Sequence, residues 1–110
     1  MQAIDTAGWS ARLKQLAEHG GVRLSELAQR NAHDLELTLA TATLYLEPQQ
    51  LYTEVQTNER LRCFLRESGA WLVDTDFAQL RRCLVDTGFV LRDAHGGQYR
   101  RGQLPDWLAK

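Results

Sequence analysis

The chain has 110 residues, a net charge of −1, 44% hydrophobic residues and 25% charged residues. This composition is ordinary for one globular domain and excludes the intrinsically disordered and collagen-like classes. A general polyanion binder with an excess of basic residues is also excluded, so any contact with nucleic acid must depend on a local cluster of cations.

The compartment is predicted from cysteine usage and from the absence of targeting signals. Two cysteines, Cys63 and Cys83, are too few for a disulfide framework. The N-terminal residues lack the apolar core of a secretory signal, and no stretch approaches the roughly 20 apolar residues of a membrane span. We therefore expect a cytoplasmic bacterial protein with reduced thiols and no membrane association.

Hydrophobic spacing predicts two helices in the first third of the chain. The first spans about residues 7–19, and the second spans about residues 25–30, with Ser25 as its N-cap and with Leu27 and Ala28 directed inward. We interpret residues 1–33 as a helical extension that either covers the core of the remaining chain or forms a homodimer face. Its candidate apolar positions are Trp9, Leu13, Leu16 and Leu27.

A third helix is predicted over residues 34–46, with Asp34 as its N-cap. Apolar residues lie almost all round it, so it should be the most buried helix. A short strand at residues 51–52 follows. Thr53 then begins a fourth helix, and Gln56 three residues later completes a capping-box pattern.

The second half of the chain ends in a helix followed directly by a hairpin. After the fourth helix stops near Arg66, an apolar connector covers residues 70–73. The fifth helix spans about residues 77–87, with N-cap candidates at residues 74–76, and Gly88 terminates it. The hydrophobic period then changes to two, which predicts strands over residues 89–92 and 98–101 around a glycine-rich turn.

This order predicts an α+β, mainly helical fold that contains a winged helix-turn-helix, with three helices and a C-terminal β-hairpin wing. We assign the winged helix to residues 34–101, the N-terminal helical extension to residues 1–33, and a C-terminal tail to residues 102–110. In such a fold the last helix enters the DNA major groove and the wing lies along the backbone.

The identity and spacing of a set of residues also resemble the sequence pattern of a known family. The set comprises Tyr52, Glu54, Asn58, Leu61, Asp76, Leu80, Arg81, Arg82, Leu84, Val85, Asp86, Gly88, Arg92, Asp93, Gly97 and Tyr99. It resembles, over about residues 34–101, the bacterial family catalogued as domain of unknown function 2087. The resemblance implies a winged-helix fold and an association with predicted transcriptional regulators, but no activity is established for the family.

The fifth helix supplies the first candidate site. Angular spacing directs one set of residues to the core: Phe77, Leu80, Leu84 and Thr87. A second set faces outward and comprises Ala78, Gln79, Arg82 and Asp86. Arg81 lies on the flank between the two faces. Gln79 suits adenine edges, and Arg82 suits guanine edges or phosphates. The alternative is a solvated face, with Arg82 paired to Asp86 and Arg81 paired to Asp76 or Glu54.

The wing supplies the second candidate site. Arg92, Arg100 and Arg101 lie on its strands, and His95 lies near its tip. These cations fit phosphate contacts. Equally, arginines on an exposed hairpin protect an edge strand from aggregation.

Tyr52, Asn58 and Tyr99 are expected to have structural roles. The two tyrosines lie on strands that should be neighbours, and Asn58 can bond the backbone of the wing or of the fifth helix. No metal, cofactor or catalytic site is expected, because no ligand or nucleophile motif is present. The residues weighed as metal ligands lack the required spacing: His19, His33, His95, Cys63 and Cys83.

The sequence therefore predicts a non-catalytic DNA-binding module, and specifically a transcriptional regulator that binds double-stranded DNA. Gln79 and Arg82 would approach base edges, and the phosphate-binding residues would be Arg81, Arg92, Arg100 and Arg101. The alternative is a winged-helix protein-protein interaction module, which predicts an exposed apolar patch, for example at Trp71, Leu72 or Trp107. A homodimer through the N-terminal helices is compatible with either function.

Overall fold

The structure, a computed structural model, describes the backbone of residues 4–95 and 97–104 and the side chains of residues 11–12, 14–95 and 97–104. The described chain is α+β and mainly helical, as predicted, with five helices and a small antiparallel sheet. In chain order the elements are α1 Ile4–His19, α2 Leu24–Arg30, α3 Ala32–Thr43, β1 Tyr52–Thr53, α4 Glu54–Arg66, α5 Phe77–Thr87, β2 Val90–Arg92 and β3 Gln98–Arg101.

Helix α2 begins differently from the prediction. Arg23 occupies the N-cap position, and its backbone N–H donates to the Glu26 carboxylate at 3.1 Å. Ser25 is therefore not the cap. Leu27 is buried as expected, but Ala28 is exposed, so the inward orientation predicted for it is wrong.

The cap of α3 is Asn31 and not Asp34. The Asn31 side-chain oxygen accepts from the backbone N–H groups of His33 and Asp34, each at 3.1 Å. Helix α3 is extensively buried, in agreement with the prediction, since every residue from Leu37 to Thr43 is inaccessible to solvent or nearly so. Its buried threonine hydroxyls donate to the carbonyl four residues earlier, which satisfies their polar groups inside the helix.

The predicted cap of α4 is confirmed, and of the three candidates at residues 74–76 it is Asp76 that caps α5. The Thr53 hydroxyl accepts from the Gln56 N–H at 3.1 Å, and the Gln56 side chain accepts from the Thr53 N–H at 3.0 Å. Asp76 accepts from the Gln79 N–H at 2.8 Å. Gly88 ends α5 with φ of 85°, in the left-handed region. This conformation is considerably less favourable for a residue with a Cβ than for glycine.

Replacing Asp76 by alanine should lower the free energy of unfolding by about 1 kcal/mol, because one N–H at the start of α5 loses its acceptor. Asp76→Asn is the matched control, since it retains the accepting oxygen and should retain most of the stability. Urea denaturation of both variants measures the difference. Equal losses for alanine and asparagine would show that the cap is not what stabilises this end of α5.

The sheet has the order β1-β3-β2, with both pairs antiparallel. Tyr52 on β1 lies opposite Tyr99 on β3, so the two tyrosines are neighbours as expected. Both rings are buried, as is Val90 on β2. The face that carries these three side chains therefore packs against the helices, and α5 leads directly into the β2–β3 hairpin.

The first two helices and the connector after α4 join the same hydrophobic core. Trp71 and Leu72 are only 6% and 8% exposed, so the exposed apolar patch expected at these residues is wrong. The backbone N–H of Gly21 donates to the Trp71 carbonyl at 3.0 Å, and Val22 forms a parallel β-bridge with Leu72. The link between α1 and α2, residues 20–23, thus covers the connector at residues 70–73.

Leu16 and Leu27 also belong to this core, which supports a covering role for the N-terminal helices. The side chains of Trp9 and Leu13, and all of Trp107, lie outside the described residues. Across residues 4–95 and 97–104, no helix has both the length and the apolar character needed to cross a membrane.

Candidate functional site: the groove between α5 and the hairpin

A groove of about 250 Å³ lies along α5, beside Arg92 of the β2–β3 hairpin. We call it the α5–hairpin groove. The residues that line it are Ala78, Arg81, Arg82, Val85, Asp86 and Arg92. Three guanidinium groups and one carboxylate therefore border one concave surface.

Arg81 is held in place by neighbours on two other elements. Its side chain is half-buried, and its guanidinium donates a hydrogen bond to the Asn58 side-chain oxygen on α4. The guanidinium carbon also lies 5.9 Å from the centroid of the Tyr99 ring. Two sequence predictions need correction: Asn58 bonds a side chain rather than backbone, and Arg81 is not paired with Asp76 or Glu54.

The identity of this partner matters for the charge of the groove. Asn58 is neutral, so the hydrogen bond orients Arg81 without neutralising it. Glu54, the nearby carboxylate, instead accepts from the Tyr99 hydroxyl at 3.2 Å. The positive charge of Arg81 therefore remains available to a ligand.

Arg92 approaches the same tyrosine from the hairpin. Its guanidinium carbon lies 5.9 Å from the centroid of the Tyr99 ring, within the range of a cation–π contact. Arg92 is also the strand partner of Tyr99, so both side chains lie on the same face of the sheet. Tyr99 consequently positions two arginines, one from α5 and one from β2.

The exposed face of α5 is largely as predicted. The side chains of Gln79, Arg82 and Asp86 are exposed, whereas Leu80 and Leu84 are fully buried. Thr87 is exposed, contrary to the core position expected for it. Within the part of the chain that the structure describes, Arg82 and Asp86 form no ion pair, so Arg82 is available at the surface.

The remaining two wing arginines do not join the groove. Arg101 lies on the face of β3 that carries Tyr99, and its guanidinium donates to the Leu46 carbonyl at 2.5 Å. The structure thus directs it towards the interior, away from the phosphate-binding position expected for it. Arg100 is exposed but alternates to the opposite face, beside Leu91.

The described residues contain no group of three or more His, Cys, Asp or Glu side chains arranged to hold a metal ion. Cys63 and Cys83 are free and half-buried. Burial, together with the charge of Asp86, raises the pKa of the Cys83 thiol above its ordinary value. A raised pKa lowers the thiolate fraction of Cys83 at neutral pH, which disfavours a reactive cysteine on α5.

Comparison with known proteins finds one family. A family model described as uncharacterized protein conserved in bacteria (DUF2087) matches residues 23–101. The match begins eleven residues before the resemblance expected from the sequence, and it includes α2 and all of α3. Neither the curated proteins nor the solved structures contain a match to the chain.

Proposed function

The chain belongs to this uncharacterized bacterial family, whose description names no activity, and we propose from its geometry that it is a winged-helix module that binds double-stranded DNA. The binding surface is the α5–hairpin groove with the exposed face of α5. The biological role that fits this activity is transcriptional regulation.

The element order supports the winged-helix assignment. Helices α3, α4 and α5 are interleaved with a sheet of order β1-β3-β2, and the hairpin follows α5 without an intervening element. This arrangement is typical of winged helices, in which the last helix and the hairpin present one continuous surface to DNA.

The convergence of Arg81, Arg82 and Arg92 on one groove is the observation that carries the proposal. Against the single carboxylate of Asp86, these side chains give a local excess of two positive charges in a chain whose net charge is −1. Such a local cation cluster attracts a polyanion even when the whole protein does not.

Each side chain has a distinct proposed role. Gln79 and Arg82 are exposed on α5 and would approach base edges in the major groove. Arg81 and Arg92, positioned by Tyr99, would bind backbone phosphates. Arg100 and Arg101 are left out of the interface because of their directions on β3.

The alternative function, protein–protein interaction, depended on an apolar patch at the surface. Trp71 and Leu72 are buried, and Trp107 lies outside the described residues, so the described surface does not provide the patch that was predicted. The groove of arginines therefore favours DNA.

Fluorescence anisotropy with a labelled mixed-sequence duplex tests the proposal. If Arg81 and Arg92 each neutralise one phosphate, raising the salt fourfold from about 50 mM should weaken binding roughly 12-fold. Loss of one base contact and one phosphate contact in Arg82→Ala/Arg92→Ala should weaken binding at low salt and reduce the salt slope by about 1.

Arg60→Ala/Arg66→Ala is the matched control, because it removes the same charge from exposed positions on α4 outside the groove. This variant should bind nearly as tightly as the parent. Absence of binding at low salt, or equal weakening by the two double variants, would contradict the proposed interface.

A further inference from the structure

A second cavity, of about 410 Å³, lies where α1, α2 and the start of α3 meet. Small-molecule sites occupy roughly 300–1,000 Å³, so this cavity has the size of a ligand site. It is lined by residues that the α5–hairpin groove does not use. Its properties therefore concern an activity separate from DNA binding.

The chain path after α1 creates this cavity. Gly20 and Gly21 both adopt positive φ, 65° and 68°, and reverse the chain at the end of α1. Leu16 on α1, Val22 after the turn and Leu27 on α2 form one wall of the cavity. These three side chains are buried members of the core, so the cavity has a rigid apolar wall.

The carboxylate in the cavity is already satisfied. Asp34 is 3% exposed and makes two bonds to Arg12, from Nε to Oδ1 at 2.8 Å and from Nη2 to Oδ2 at 2.6 Å. Arg12 also donates from Nη1 to the Gln15 side chain at 3.0 Å. Arg12 and Asp34 therefore neutralise each other and leave the charge of the cavity to other residues.

Arg30 supplies that charge. Its side chain is 67% exposed, and its only ion pair among the described residues is a long 3.8 Å contact with Glu26. His19, at the end of α1, also lines the cavity and offers a ring N–H as a donor. A loosely paired cation and a donor thus lie beside an apolar wall.

We propose that this cavity binds a small organic anion. Arg30 and His19 hold its carboxylate or phosphate group, and its apolar body packs against Leu16, Val22 and Leu27. A neutral molecule of the same shape gains the apolar contact but loses the charge-assisted hydrogen bond. A strongly hydrophilic anion gains the hydrogen bond but leaves the apolar wall exposed.

Isothermal titration calorimetry with benzoate tests this site, and benzamide serves as its neutral isostere. Benzoate should bind at millimolar concentration or better, and benzamide should bind about tenfold more weakly. Arg30→Gln should weaken benzoate binding about tenfold and should leave benzamide binding unchanged. Amide NMR shifts on benzoate addition should map to the cavity wall.

Arg100→Gln is the control, since it removes an exposed arginine on β3 that does not line the cavity. Arg30 is exposed, so its replacement should preserve the fold, and circular dichroism verifies this. The proposal is overturned if benzoate does not bind at about 10 mM. It is also overturned if benzamide binds as tightly as benzoate, or if Arg100→Gln weakens benzoate binding as much as Arg30→Gln does.

Discussion

Replacement of Gly102 by alanine is expected to lower the free energy of unfolding by about 3 kcal/mol, the upper part of the range for overpacking. The Gly102 N–H donates to the Phe89 carbonyl at 2.7 Å, which brings the end of β3 against the turn after α5. A Cβ here would lie inside van der Waals distance of the Gly88 carbonyl oxygen and 3.1 Å from the Phe89 carbonyl group. Because these are backbone atoms, no side-chain rotation relieves the clash.

Gly97→Ala gives the matched control for this substitution. A Cβ at Gly97, in the turn of the hairpin, meets no atom within 4 Å. Its unfolding free energy should stay within about 0.5 kcal/mol of the parent in urea denaturation. If the two glycine variants lost equal stability, close packing at Gly102 would not be the cause.

Arg12→Ala should also cost about 3 kcal/mol, because it leaves the Asp34 carboxylate buried without its cation. This loss lies at the lower end of the range for a broken buried ion pair. The reason is that 41% of the Arg12 side chain is exposed, so water can partly solvate the Asp34 carboxylate when the arginine is removed. Urea denaturation at neutral pH measures the loss. A change no larger than that of an exposed arginine such as Arg66→Ala would contradict this role.

The pH dependence of the folding stability provides a second test of the ion pair between Arg12 and Asp34. Hydrogen bonding from Arg12 holds the pKa of Asp34 below its ordinary value. The ion pair therefore stabilises the fold above the unfolded pKa of about 3.9, and this contribution is lost as the pH falls through the lower folded pKa. Without Arg12, burial disfavours the charged form of the Asp34 carboxylate, so protonation of Asp34 removes this destabilisation.

The stability difference between the parent and Arg12→Ala should consequently shrink as the pH falls below about 4. Asp34→Asn, which cannot titrate at this position, should show a weaker acid dependence than the parent. Denaturation at neutral pH and near pH 3 distinguishes these cases. A difference that stays constant across this interval would show that Arg12 does not shift the pKa of Asp34 in the folded chain.

Local signals in the sequence predicted the second half of the fold well. The capping box at Thr53, the cap at Asp76 and the stop at Gly88 each depend on residues within a few positions of one another. The hairpin is equally local, because its strands are adjacent along the chain. These features need no knowledge of what packs against them.

The start of α3 could not be predicted in this way. Asn31 and Asp34 are both good N-caps by residue type. The choice between them depends on Arg12, which lies 22 residues earlier and binds the Asp34 carboxylate. The burial of Trp71 similarly depends on the distant α1–α2 link, so its apolar side chain was compatible with either a core or a surface position.

The candidate site was predicted in part. Arg82 and Gln79 follow from helical spacing, whereas the bond between Arg81 and Asn58 joins two helices and has no local signal. The directions of the wing arginines were accessible in principle. Strand alternation places Arg101 with Tyr99 and Arg100 on the other face, once the buried face is known.

The ion pair between α1 and α3 also has an evolutionary consequence. Arg12 lies before the matched family region, and Asp34 lies within it. A relative whose chain has no counterpart of α1 would bury an acidic residue at this position of α3 without a cation, which natural sequences avoid. Position 34 should therefore be acidic where a basic residue occupies position 12 and uncharged elsewhere, so that the two sites vary together across the family.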